Sequence, residues 1–505
     1  MKKILINDNS WQTRIAITRD GKLQNLYFSA HAQESLERAF FKGIILKVLP
    51  GIQTAFVEIG QEKAGFLHIS EIDRELALSE MSKNLQLEDE EEQVERKVHQ
   101  KKDISKIFHE GDEVLVQVSK EPIYEKGAKL TTCYTLPGRF IVLMPNIPRI
   151  GVSKKIAEKE ERYRLKDIVR SHLPEGMGAI IRTTSEGRNE QEIIKDLNYL
   201  VRKWKTIEDA FEKAKGDHTV CKLHEDIPLP LQIVRDHLDD DVEEIITDNK
   251  QNQTNIYNFI KSIAPEYSQK IKLYTGDRSI FTHYDIEKQI TQALDKKVSL
   301  KSGGSLIIET TEAMTVVDVN TGKFIGKKSM EDTILQTNIE AAEEIVRQLK
   351  LRNIGGLIVI DFIDMTVSAN KQKLSRFFEK TLREQDKFQS VLLKISEFGL
   401  VQMTRKRSGK TLIQQLTDDC PTCKGSGFVP SVQTECYALL RNLQQDLTDL
   451  KDKTSVTVMV HPTLFDYISS IEYNAILELE KKYHIKITIA TEPSLALNTY
   501  KIEKK

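Results

Sequence analysis

The sequence predicts a multidomain protein of mixed α/β and α+β class, and three observations carry that reading. The first is length: 505 residues exceed what one hydrophobic core organises, so about three to five domains follow. The second is a strand, helix, strand unit between Met314 and Met365, in which each strand ends on a carboxylate. The third is a run of short strands with glycine turns between residues 36 and 132, the pattern of a small barrel of the OB type.

Composition sets the outer bounds. Hydrophobic residues make up 39% and charged residues 30%, which suits a soluble globular chain. Lys and Arg number 74 against 75 Asp and Glu, so the overall charge points to no polyanionic partner and any nucleic-acid surface must be a local patch. The N-terminal MKKILINDNSWQTR breaks into polar residues early, and no later stretch approaches roughly 18 apolar residues in a row. A cytoplasmic protein with no membrane segment is expected. Five cysteines, an odd and sparse set, argue for reduced thiols and a metal motif rather than a disulfide framework.

Taken in order, residues 1–35 read as an antiparallel meander of three strands with a turn at Asp20-Gly21. Such a piece cannot bury a core alone, so a later segment is expected to complete it. Residues 36–132 give five strands, with Phe56 and Phe66 as candidates for stacking on single-stranded bases, although a phenylalanine is more often simply core. Residues 73–106 interrupt this barrel with LEDEEEQVERKVHQKK, an acidic block followed by a basic one that has too few apolar residues to fold alone. Between 133 and 228 come a basic cluster at Arg149, Lys154 and Lys155, helices over about 156–172 and 188–214, and a strand ending at Arg182-Thr183. An Arg fork beside a hydroxyl suits a phosphate, though a strand-end Arg-Thr is a weak signal by itself.

The crossover unit follows. Its strands are Met314 to Val319 and Leu357 to Asp364, both apolar runs rich in branched residues. Between them Ile334, Leu335, Asn338, Ile339, Ala342, Ile345, Val346 and Leu349 recur at helical spacing, after a cap at Ser329-x-x-Asp332. Such a connection makes the strands parallel, so Asp318 and Asp361 emerge at one carboxyl edge, about 4.8 Å apart if the strands are neighbours. A strand-end Asp alone often only caps a loop. Two facing carboxylates call for a cation, and alternation puts Asn320 on the face of Asp318, which predicts an oxygen-rich Mg²⁺ site. Strand parity sends Asp364 to the opposite face.

Beyond the crossover, Val391 to Ile395 and Leu400 to Thr404 read as strands, followed by Arg405-Lys406-Arg407 and Lys410, expected as a phosphate-contacting edge beside the metal. The SGKT at 408–411 is not a phosphate loop, because position 404 is Thr where that motif needs Gly. Cys420-Pro-Thr-Cys423-Lys-Gly-Ser-Gly has the spacing of a zinc knuckle, with two thiolates reaching one ion across a tight turn. Cys133, Cys221 and Cys436 are singles, so two chains each giving one pair across a two-fold axis would complete a tetrahedral site. A redox pair is the alternative, weakened by the flanking glycines and the absence of a thioredoxin-like strand-helix context. The tail from 431 to 505 reads helix, strand, helix, strand, a small α+β domain.

Three stretches, AMTVVDVNTGKFIGK, NIEAAEEIVRQLKLRNIGGLIVIDFIDM and CPTCKGSG, resemble the catalytic core of the ribonuclease E/G family, its shorter G branch in particular. The resemblance extends over nearly the whole chain. It implies an RNase H-like domain from 1–35 with 229–293, an OB-fold RNA-binding domain of the S1 type over 36–132, a 5′-phosphate sensor region over 133–228 and a DNase I-like catalytic domain over 294–416. A zinc link over 417–430 and the small domain over 431–505 complete it. It further implies an endoribonuclease that cuts single-stranded A/U-rich RNA with Mg²⁺, stimulated by a 5′-monophosphate, in rRNA maturation and mRNA decay. Asp318 and Asp361 would hold Mg²⁺ and Asn320 would orient them. Phe56, Phe66 and Lys126 would contact RNA, and Ile59 stands where several relatives have Tyr. Arg182 and Thr183, with backbone at Gly138 and Val142, would receive the 5′-phosphate. Cys420 and Cys423 would share Zn²⁺ between chains of a homodimer or homotetramer. No long scaffold tail that recruits a degradation complex is expected. Two rival readings are a zinc-linked RNA-binding assembly factor without hydrolysis and a metal-dependent DNA nuclease.

Overall fold

The computed structural model describes residues 1–30, 35–72, 103–122, 127–156, 158–321, 330–386, 388–396, 399–407, 409–448 and 455–504. It forms two compact units, Met1–Gln415 and Leu416–Lys505.

In the first unit, the meander Lys2–Asp8, Gln12–Arg19, Lys22–Ala30 is extended by two distant strands. Val242–Thr247 pairs parallel with Lys2–Asp8, and Ile271–Leu273 pairs parallel with Val242–Thr247. Ile4, Ile6, Ile15, Ile17 and Ile245 bury one face of this sheet beneath Ile256 and Ile260 of helix Lys250–Ile263. The three N-terminal strands thus gain the packing face they lack by themselves.

A barrel lies between these pieces. Strands Phe40–Leu49, Thr54–Glu58, Gly65–His68, Lys129–Thr131 and Glu113–Lys120 run round in that order, and Phe40–Leu49 also pairs with Glu113–Lys120, which closes it. A sixth strand, Cys221–His224, adds to Phe40–Leu49. Lys42 is fully buried and donates to Glu113, Asp217 and the Ala214 carbonyl, tying the barrel to the end of the long helix Glu190–Ala214. The charged run of the barrel insertion lies largely outside the described residues.

The catalytic candidates sit on a six-stranded sheet whose order is Lys297–Ser299, Ser305–Thr310, Met314–Asn320, Gly356–Asp361, Leu400–Arg405, Ser390–Leu392. Helix Met330–Leu351 makes the crossover between the two parallel strands. Val317, Val319, Ile358 and Ile360 face it and the helix Ser368–Gln385, packing against Ile345, Val346, Leu349, Leu374 and Phe378. Strand Met314–Asn320 alternates strictly between exposed and buried, so among the described residues its other face carries no helix. Ser329 of the expected helix cap lies outside the described residues.

In the second unit, Ser455–Val460 pairs parallel with Lys486–Thr491 and antiparallel with Tyr500–Lys504, under helices Val432–Thr448, Pro462–Ser470 and Tyr473–Tyr483. The helix Pro462–Ser470 and the last strand were not foreseen from the sequence. Among the described residues no helix is long and apolar enough to cross a membrane.

Candidate functional site

Parallel pairing runs Val316 with Val359, Val317 with Ile360 and Asp318 with Asp361, so the two acids are direct neighbours across one strand gap. Both are exposed, on the face without helices. Asn320 donates through Nδ2 to Asp318 Oδ2 at 2.7 Å, which fixes that carboxylate. Partial burial pushes the Asp361 carboxyl above its ordinary value, and the charges of Asp318 and Asp364 push it further.

Strand Gly356–Asp361 stops at Asp361, so the alternation that sent Asp364 to the opposite face does not govern the next three residues. Asp364 is exposed, with its Oδ1 3.0 Å from where a Cβ on Gly399 would lie, and its charge adds to the upward push on Asp361. Among the described residues no three His, Cys, Asp or Glu side chains converge as a ready ligand cluster. The donor set is therefore two facing carboxylates and an amide, with a third carboxylate nearby. Facing like charges beside an amide fit a divalent ion that keeps several waters and takes the rest of its oxygens from phosphate.

The basic run after the last strand is not beside this edge. Leu400–Arg405 is antiparallel to Gly356–Asp361, with Leu400 opposite Asp361 and Arg405 opposite Gly356. Five residues separate the two ends, roughly 17 Å of strand. Arg405 is moreover buried, in a two-point pair with Asp386 at 2.6 and 3.1 Å, and its Nη1 donates to the Ile354 carbonyl at 2.6 Å. It serves the core and meets no phosphate.

On the barrel, Phe56 and Phe66 face each other in register and are half-buried, while Ala55, Val57 and Leu67 beside them are fully buried. Alternation along the strands turns the two rings outward as a pair. Ile59 is only 1% exposed and packs into the barrel core, so it takes no place on that outward surface. Lys126 lies outside the described residues.

Between Leu136 and Ile181 a four-stranded sheet holds the phosphate candidates. Strand Ile141–Met144 lies between Leu136–Pro137 and Gly178–Ile181, with Val142 opposite both Pro137 and Ile180. Arg182 follows directly and donates through Nη1 to the Gly138 carbonyl at 2.6 Å and to Asp236 Oδ1 at 2.8 Å. Gly138, Val142 and Arg182 are thus gathered by one tight hairpin, and exposed Thr183 adjoins Arg182. Asp196 builds the hairpin from behind, its buried carboxylate accepting from the backbone N–H groups of Arg139, Phe140 and Ile141 at 2.8–3.2 Å. An added Cβ at Gly138 would lie 2.5 Å from Asp196 Oδ2, which is why only glycine fits there. Asp236 and Asp196 were not read from the sequence. Burial opposes the charge of Asp236, but Arg182 and Arg235 outweigh it and hold its carboxyl well below the usual range. The sequence signal available was an Asp directly following Arg235, too common to single out.

In the second unit, Cys420 is exposed and Cys423 half-buried. Lys424 N–H bonds to the Cys420 carbonyl at 2.8 Å and Ser426 N–H to that of Cys423 at 2.9 Å, while Gly425 and Gly427 take positive φ. The backbone N–H groups of Cys423 and Thr422 point at the Cys420 sulfur and lower its pKa. This is a turn that folds its backbone round the two cysteines. Cys436 by contrast is in the core, its thiol pushed up to about 11 by burial.

Comparison with known proteins gives three family matches: the Ribonuclease E/G family over residues 135–408, the S1 RNA binding domain over 38–128, and the RNase E/G thioredoxin-like domain over 419–505. The chain is 39% identical over 491 residues to Ribonuclease G of Haemophilus influenzae, covering 97% of this chain and 96% of that one. It is 37% identical over 493 residues to Ribonuclease G of Escherichia coli strain K12, covering 97% of each. With Ribonuclease E of Escherichia coli strain K12 it shares 35% over 486 residues, covering 95% of this chain and 44% of the relative. The third family match corrects one argument: the tail is a thioredoxin-like domain, so a missing thioredoxin context cannot be held against a redox pair. What still separates Cys420 and Cys423 from such a pair is their place in a run of turns outside any helix.

Proposed function

This chain belongs to the ribonuclease E/G family and is an endoribonuclease of RNA processing, and from that premise we propose that it cuts single-stranded RNA at Asp318 and Asp361 with Mg²⁺. The observation that carries the proposal is the register pairing of the two acids on the helix-free face of a parallel strand pair. When bound there, Mg²⁺ supplies Lewis-acid stabilisation of the scissile phosphate and activation of the attacking water. Asp318 and Asp361 would hold it as the two anionic ligands. Asn320 holds Asp318 in one orientation through its Nδ2 bond. Water adding its oxygen to phosphorus while the P–O3′ bond breaks, with the water's proton ending on O3′, would leave a 5′-phosphate and a 3′-hydroxyl.

The other candidate residues act on the strand rather than on the scissile bond. Phe56 and Phe66 offer a two-ring platform for unpaired bases, which selects single strands without strict sequence preference. Arg182, held in place by the Gly138 carbonyl and Asp236, offers its guanidinium to a 5′-monophosphate, and Thr183 adds a hydroxyl. Cys420 and Cys423 supply half of a Zn²⁺ site completed by a second copy of the chain.

The experiment is cleavage of a 5′-labelled single-stranded RNA, with DNA of equal sequence in parallel. Asp318→Asn and Asp361→Asn each keep shape and remove one anionic ligand, so the rate falls by orders of magnitude while RNA affinity holds. Wild-type activity in either variant would falsify the assignment of the site, and equal cleavage of DNA would return the reading to a general nuclease.

A further inference from the structure

We infer that Asn338, in the crossover helix, is a positioning residue that holds the Asp361–Asp364 segment in its metal-binding shape; this rests on the reading of Asp318 and Asp361 as a metal site. Strand Gly356–Asp361 ends at Asp361, and helix Ser368–Gln385 begins at Ser368. The six residues between belong to neither element. Asn338 provides what a neighbouring strand would have given. Its Nδ2 donates to the Ile363 carbonyl at 2.8 Å, and its Oδ1 accepts from the Ile363 N–H at 3.0 Å. The amide is fully buried, among Leu335, Ala341, Ala342 and Ile345. Asn is a poor helix former, and a buried amide is costly unless bonded, so an apolar residue would serve the packing better. What Asn adds is the clamp on Ile363, midway between the two acids.

Seven residues before it, on the same helix face, Glu331 supplies a second clamp. One oxygen, Oε1, accepts from Thr366 N–H at 2.8 Å, Thr366 Oγ1 at 2.9 Å and Val367 N–H at 2.7 Å. Val367 precedes the helix Ser368–Gln385, which has no side-chain cap of its own, so Glu331 caps it from the crossover helix. The two clamps are about 10 Å apart along the helix axis. Within the segment, buried Phe362 and Met365 anchor it to the core while Asp361 and Asp364 are exposed. Asp318 and Asp361 are direct neighbours across the strand gap, so two like charges face each other there, and an unclamped segment would relieve that repulsion by moving outward. A cation would then have to draw it back. The clamp thereby raises cation affinity without touching the cation.

The test is binding of Mn²⁺ to the full-length, RNA-free protein, followed by electron paramagnetic resonance. Asn338→Leu removes both hydrogen bonds at similar volume and is expected to weaken Mn²⁺ binding by about 10- to 100-fold, the range for groups that orient metal ligands. Glu331→Gln keeps a carbonyl acceptor and should weaken it less. RNA affinity in chelator should stay at the wild-type value, and raising Mg²⁺ should recover much of the cleavage rate. Should Asn338→Leu fail to melt cooperatively, Asn338→Ala carries the test, since it removes both hydrogen bonds to Ile363 in a good helix former and adds no charge. Unchanged Mn²⁺ affinity in a cooperatively melting variant overturns the inference. If Asp318→Asn binds Mn²⁺ as wild type does, the metal-site reading itself falls and takes this one with it, which separates the two failures.

Discussion

Removing the carboxylate of Asp386 should cost the first unit several kcal/mol and leave RNA binding alone. Arg405 and Asp386 are 0% and 2% exposed at the side chain, and the pair is bidentate at 2.6 and 3.1 Å. The guanidinium also lies over the Phe388 ring, 4.7 Å from its centroid, so water cannot replace the lost partner. Breaking a buried pair by deleting one member costs about 3–5 kcal/mol, because the other charge remains in the core. At about 2–4 °C per kcal/mol for a domain of this kind, Asp386→Ala lowers the corresponding calorimetric transition by roughly 6 to 20 °C. The double variant Asp386→Ala with Arg405→Met should recover part of the loss, since no charge is then stranded. A surface phosphate contact predicts the opposite pattern for Arg405→Met: little change in melting, and a fall of about 0.7 in the slope of log affinity against log salt for single strands. A stable Asp386→Ala protein, or such a change of slope, would refute the buried-pair account.

On the barrel, Phe56→Ala should weaken single-stranded RNA binding by about 1–3 kcal/mol, read by fluorescence anisotropy, with melting little changed because the ring is half-buried. At the phosphate pocket, Arg182→Gln should remove most of the rate advantage of a 5′-monophosphate over a 5′-hydroxyl, a factor of roughly 10 to 150, and leave a circular RNA unaffected. Asp236 has a depressed folded pKa, so its stabilising contribution is full above the unfolded value of about 3.9 and is lost as pH falls through the folded one. The melting difference between wild type and Asp236→Asn should therefore be largest near neutral pH and close in acid. Cys420→Ser with Cys423→Ser should abolish bound zinc, measured by atomic absorption, and lighten the sedimenting species; unchanged sedimentation would remove the shared-zinc assignment.

The acid pair was legible because handedness and direction of a crossover are nearly invariant: two strands joined by one helix are parallel, so residues at their ends share an edge. For Asp364 alternation gives no guide, because the strand ends at Asp361. The fate of Arg405 depended on which way the last strand returns, and a sequence pattern does not encode strand direction. Asp196, Asp236 and Asn338 went unread for a related reason: each works by bonding backbone or an Arg across long sequence separations, and none interrupts a local pattern. The thioredoxin-like tail was seen only as alternating helices and strands, with Pro462–Ser470 and Tyr500–Lys504 unread.

The pairing of Lys2–Asp8 with Val242–Thr247 sets a clock on how this chain can be made. At synthesis rates of about 5–20 residues per second, the N-terminal strand waits on the order of 10 to 50 s for its partner to leave the ribosome. During that wait the barrel can close from its own strands, since its core uses residues from Leu36 to Leu130. The meander stays an open edge with one bare apolar face throughout. Slowing translation between the barrel and Val242 should lengthen that exposure, and with it the dependence of newly made protein on chaperones that cover unpaired strands.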